Sequence, residues 1–135
     1  MLGRKSFTSE EIERARTTFD AQLAAYRKLA KAAKGAALDS FASLFFNNLT
    51  LALDRFFVHR LRVLTGKDTT PLNELEIIAD SLLNHDGVFT GIAVIKYVPE
   101  KSVLGLKIGD RIRLGEDDFA RLYAAVLTEL QEKAE

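Results

Sequence analysis

Residues 39–66 constrain this chain more than any other stretch. Placed about 100° apart, Leu38, Phe41, Phe45, Leu49, Ala52, Phe56 and Val63 gather on one side of a helix. Phe46, Leu53, Phe57, Leu61 and Leu64 widen that side to about half the circumference. One neighbour covers only a narrow strip, so the pattern predicts a long helix at the centre of a small bundle. The other side mixes Ser40, Ser43, Asn47, Asn48, Asp54, Arg55, His59 and Arg62 with Leu44, Leu51 and Val58. Plain solvent does not suit that mixture, whereas a second copy of the chain does. Asn47, Leu51, Val58 and Arg62 are therefore candidate residues of a homodimer interface. Arg60 falls inside the apolar arc, where an unpaired guanidinium is too costly; either the core ends there or a carboxylate meets it.

A chain of 135 residues is one domain by size and buries enough surface to fold without staples. Without cysteine it has no disulfide or thiolate chemistry, and a cytoplasmic location is expected. No apolar run follows the basic residues near Met1, so no signal peptide is read. Residues 38–64 are interrupted by Asn47, Asn48, Asp54 and Arg55, which argues against a membrane span. The net charge is zero but uneven: residues 21–67 hold eight Lys or Arg against two Asp, and residues 68–135 hold seven against thirteen acids. Acidic later helices packed beside basic earlier ones account for that split. A nucleic-acid partner would ask for a basic excess that the whole chain lacks.

Taken in order, the chain reads as a single mainly α domain over residues 1–135. It is a four-helix bundle-like fold with a small β-hairpin or three short strands between the third and fourth helices. Thr8-Ser9-Glu10-Glu11 fits a capping box, and Phe7 with Ile12 fits a hydrophobic staple. Ile12, Ala15, Phe19, Leu23 and Tyr26 then stripe a first helix over about 8–34. The second helix runs over about 39–65, with Asp39 as its expected cap or a start one turn earlier. Thr70-Pro71 opens a third over about 71–86, because proline at the first helical position forfeits no hydrogen bond. Its five acids and lack of Lys or Arg over residues 68–86 make it the natural neighbour of the basic second helix. Phe119, Leu122, Tyr123, Val126 and Leu130 stripe a fourth helix over about 116–133. Between them, β-branched and aromatic alternation predicts strands over about 92–98, 103–106 and 111–114.

Three groups of residues are candidates for chemistry or recognition. Asp54, Arg55 and His59 could form an acid–base or phosphate-contacting site, since Arg55 and His59 stand one helical turn apart. Two isolated histidines and no cysteine make a poor metal set, so no metal and no cofactor is expected. Arg60, Asn73 and Lys101 are candidate polar anchors for a small anionic ligand held between the second helix, the connector and the hairpin.

Arg55-Phe56-Phe57-Val58-His59 resembles the Arg and His signature of the HEPN ribonucleases, helical proteins that cut RNA at a dimer interface, although its spacing is closer than that family's. The resemblance implies RNA binding or cleavage by Arg55 and His59. A broader likeness runs from Phe41 to the C-terminus, through Phe57-Val58-His59-Arg60-Leu61-Arg62, Gly66-Lys67-Asp68, Pro71-Leu72-Asn73-Glu74 and Lys101-Ser102-Val103-Leu104. These segments are similar to a family of small bacterial proteins without an assigned activity. That likeness implies one structural unit at the end of the second helix and no reaction. The expected function is a non-catalytic homodimeric interaction module built on the 39–66 helix. The alternatives are HEPN-like action on RNA and binding of a small anionic ligand.

Overall fold

The computed structural model describes residues 6–57 and 66–134, and the protein is mainly helical. Among these residues four α-helices form: α1 (Ser9–Ala32), α2 (Ala36–Phe56), α3 (Pro71–Asn84) and α4 (Glu116–Glu132). The capping box starts α1: the Thr8 hydroxyl accepts from the Glu11 amide at 3.1 Å, and Glu11 accepts from the Thr8 amide at 3.0 Å. Phe7 and Ile12, the expected staple, are both buried. Thr70 caps α3 by accepting from the Asn73 amide. A second buried group finishes that end, since Glu129 of α4 accepts from the Leu72 amide at 3.0 Å. Thus α4 caps α3 as well as packing on it.

Among the described residues α4 packs against the other three helices, and so does α2, which packs on α3 and α4 and meets α1 through the Phe19–Phe56, Tyr26–Phe45 and Tyr26–Phe46 ring pairs at 5.3, 5.8 and 4.7 Å. Eight of the 14 residues of α3 are buried, but only Phe46, Leu49, Thr50 and Leu53 of the 21 in α2. Among the described residues, the wide apolar arc of α2 is therefore only partly buried. α2 also begins a turn earlier than Asp39, with Gly35 (φ 118°) at its cap and Asp39 in its first turn. The described helix closes at Phe57, and the expected continuation over 58–65 lies outside the described residues.

An aromatic cluster knits the helices together. Phe119 and Tyr123 of α4 stack at 5.7 Å, and Phe119 meets Phe19 of α1 and Phe46 of α2 at 6.2 and 5.8 Å. Such ring pairs add about 0.5–1.5 kcal/mol each beyond the area they bury. Phe7 meets Phe57 edge-on at 5.0 Å, tying the N-terminal entry to the end of α2.

The three predicted strands are absent: among the described residues no strand forms, and the only bridge is an antiparallel one between Val88 and Arg111. Residues 92–95 make a turn closed by the Ile95 amide on the Ile92 carbonyl. Gly105 stands in the left-handed region (φ 69°), which interrupts 103–106. Only 111–114 keeps a local strand-like pairing, and its partners are Gly87 and a side chain.

Much of segment 88–115 hangs on helix and connector side chains instead of on another strand. Asn47 of α2 donates to the Ile112 carbonyl and accepts from the Leu114 amide, both at 3.1 Å. Thr69 treats the Lys96 carbonyl and the Val98 amide the same way at 2.8 Å. In each case one side chain serves the carbonyl of one residue and the amide two places on, the groups an extended chain presents on one side. Ser81 of α3 engages both the amide and the carbonyl of Thr90. Glu74 accepts from the Val103 and Leu104 amides at 2.7 and 2.9 Å, while Arg121 donates to the Val103 carbonyl at 3.0 Å. The segment divides its hydrogen bonds between side chains of the helices and connector and a short backbone pairing, in which the Phe89 and Ile112 amides donate to the Asp110 and Gly87 carbonyls.

Candidate functional site

The outward side of α2 is where the residues singled out by sequence have to be placed. Asp54 is half-buried and Arg55 exposed, both on the last turn of α2. His59 lies outside the described residues, as do Arg60, Val58 and Arg62. The structure therefore brings Asp54 and Arg55 to one helix end. Among the described residues no group of three His, Asp or Glu side chains is placed to hold a metal ion.

Asn73, expected to anchor a ligand, is buried and occupied with the chain itself. Its amide group donates to the Gly66 and Asp68 carbonyls at 3.3 and 2.7 Å and shapes the connector into α3. Lys101 is exposed at the end of a 3-10 turn, Pro99–Lys101. The neighbouring Glu74 is the buried polar residue that organises this corner. Burial pushes its carboxyl above the usual carboxylate range, against the opposing pull of the Val103 and Leu104 amides and Arg121. Asn73 is thus engaged with the connector and Lys101 stands at the surface, while Arg60, the third expected anchor, lies outside the described residues.

Asn47 also takes a different role. The helical wheel places it on the far side with Leu51, as an interface residue, but both ends of its amide hold the 112–114 backbone. Leu51 stays half-buried on the outer stripe. The exposed apolar residues of α2 are Phe41 and Leu44, 44% and 70% exposed, joined by Leu29 of α1 at 46%. Tyr26, Phe45 and Phe41 form a stack of rings 5.8 and 5.5 Å apart that leads from the core to this surface. Gln22, Ala25 and Leu29 complete a shallow apolar groove of about 220 Å³ there.

On its other flank α2 faces the laced segment across a cleft of about 660 Å³. Asp39, Ser40, Ser43, Leu44 and Asn47 line one wall; Asp86, Gly87 and residues 111–113 line the other. Sequence reasoning missed this cleft because it needs two segments about 65 residues apart. Its one sequence signal is the alternation of Arg111-Ile112-Arg113, which turns two basic side chains to one side of extended backbone while Ile112 is buried.

By length and composition α2 is apolar enough to cross a membrane, and 22% of its most apolar window is buried among the described residues. No family model matches this chain, and no curated protein or solved structure matches it.

Proposed function

We propose that the protein is a non-catalytic interaction module that self-associates through an antiparallel pairing of α2 with α2 of a second copy. The observation that carries the reading is the outer stripe of α2. Ala37, Phe41, Leu44, Asn48, Leu51 and Arg55 recur at alternating steps of four and three residues. That is the spacing of a two-helix seam. Five of these residues are exposed, and Leu51 is half-buried.

The stripe complements itself. About a two-fold axis at Asn48, Leu44 comes beside Leu51 of the partner subunit, and Phe41 comes beside Arg55 of the partner subunit. The first pair buries aliphatic surface, and the second sets a guanidinium against an aromatic face. The two Asn48 side chains meet at the axis, where a polar residue fixes the register of a helix pair. A two-fold contact of this kind uses one patch on both copies and closes on itself.

Sedimentation equilibrium tests the reading directly. The wild type is expected to be a dimer at micromolar concentration, and Leu44→Glu a monomer with an unchanged melting temperature. The chain has no cysteine, so Asn48→Cys introduces a single thiol. An antiparallel seam centred there forms a covalent dimer on mild oxidation, whereas Asn84→Cys on α3 does not. A wild-type monomer across the micromolar range, or a monomer that co-sediments with lipid vesicles, overturns the proposal.

A further inference from the structure

We propose that the cleft between α2 and the 111–113 segment binds a small phosphorylated molecule that also carries hydroxyl groups, of the sugar monophosphate class. All its lining residues belong to one chain, and of them only Leu44 also lies on the proposed α2 seam, so none of the polar groups invoked here depends on self-association. At about 660 Å³ the cleft lies within the range of small-molecule sites, about 300–1,000 Å³.

One of its donors is placed in advance and the others are uncommitted. Arg111 donates through Nη1 to the Asp86 carbonyl at 2.6 Å, which fixes the guanidinium at the C-terminal turn of α3. A guanidinium has five N–H donors, so most of its hydrogen-bonding capacity remains. Asp86 itself takes the left-handed conformation (φ 54°), uncommon outside glycine, and so sets the wall against which Arg111 rests. Arg113 points to the same side of the extended backbone and forms no side-chain hydrogen bond or ion pair among the described residues.

Ser40 and Ser43 stand one helical turn apart on the opposite wall. Elsewhere the helical threonines Thr17, Thr18, Thr50 and Thr128 turn their hydroxyls back onto the carbonyl four residues earlier. Neither serine does so, and neither has another side-chain partner among the described residues. Two guanidinium groups facing two hydroxyls suit the several acceptor oxygens of a phosphate monoester. Asp39 and Asp86 line the same cleft. They balance the two arginines, oppose a polyanion, and accept hydrogen bonds from ligand hydroxyls.

Isothermal titration with ribose 5-phosphate, inorganic phosphate, ribose and a short oligonucleotide tests the assignment. Ribose 5-phosphate is expected to bind saturably and more tightly than the other three. Arg113→Ala, which removes no hydrogen bond or ion pair among the described residues, is expected to weaken it about tenfold or more at an unchanged melting temperature. Ser40→Ala with Ser43→Ala is expected to weaken it further, while Lys107→Ala, a cation outside the cleft, leaves it unchanged. No saturable binding at millimolar ribose 5-phosphate overturns the proposal. So does equal binding by Arg113→Ala, equal loss in Lys107→Ala, equal affinity for inorganic phosphate, or preference for the oligonucleotide.

Discussion

Replacing Asn47 with alanine separates a structural lace from a surface polar residue. The side chain makes two hydrogen bonds of 3.1 Å to the Ile112 carbonyl and the Leu114 amide. Both of those residues are 2% exposed, so water has poor access to the abandoned backbone groups. Each lost bond costs about 0.5–1.5 kcal/mol net, and a buried group left unsatisfied costs about 1–3 kcal/mol. The site is part-buried at its Asn47 end, so the sum expected for Asn47→Ala is about 2–3 kcal/mol. For a chain of this size that lowers the melting temperature by about 8–12 °C. Urea unfolding and thermal melts followed by circular dichroism measure it, with Asn84→Ala on the exposed end of α3 as control, expected within about 0.5 kcal/mol. Asn47→Asp keeps the acceptor for Leu114 but turns a carboxylate toward the Ile112 carbonyl, and is expected to be no more stable than the alanine variant. Hydrogen exchange at the Leu114 amide should accelerate in Asn47→Ala. A loss under about 0.5 kcal/mol with an unchanged Leu114 exchange rate refutes the claim that side chains hold this segment.

The native state binds the Glu74 proton more tightly than the unfolded chain does, because burial raises its carboxyl above the ordinary 4.5. Its stabilising contribution is therefore complete below pH 4.5 and is lost as pH rises through the folded value. Urea midpoints of wild type minus Glu74→Gln are expected to shrink as pH rises from about 4 to 8; a difference that grows with pH contradicts this. Glu129→Ala strips the buried Leu72 amide of its acceptor and is expected to cost about 1–3 kcal/mol. Glu129→Gln keeps an acceptor oxygen and should restore most of that, as judged by urea denaturation. Tyr123→Phe removes a 2.8 Å hydrogen bond to Asp20, whose carboxylate stays wet, at a cost of about 1 kcal/mol near neutral pH. Burial and Asp20 raise the Tyr123 phenol above its ordinary 10.0, so this deficit should narrow in alkaline melts as the unfolded chain ionises its phenol first.

The helices were legible because their signals are local. A capping box, a Thr-Pro start and the stripes of α1, α3 and α4 all act within one or two turns, and Ile12, Leu75 and Val126 are buried where the spacing placed them. What covers the outer side of α2 was not legible, for a physical reason. Apolar spacing on α2 records how much surface wants cover, not whether the cover belongs to the same chain, and Leu44 remains 70% exposed. The 88–115 region was misread for a related one. Alternation around Ile112 and Leu114 specifies extended backbone, but it does not name the partner, and Asn47 lies far away in sequence. About 100° of helical rotation separates Asn47 from Asn48, and only the path of the 112–114 backbone gives them different work. The cleft was invisible for the same reason: Ser40 and Ser43 acquire meaning once Arg111 and Arg113 stand opposite.

A surface segment fastened by individual side chains has an evolutionary consequence. In a sheet, moving one strand shifts the register of its neighbours; here Asn47, Thr69, Glu74 and Ser81 each hold a separate point along the loop. Altering one codon releases one attachment and leaves the others in place. The contour over this face can therefore be redrawn in small steps, with the helices beneath left as they are.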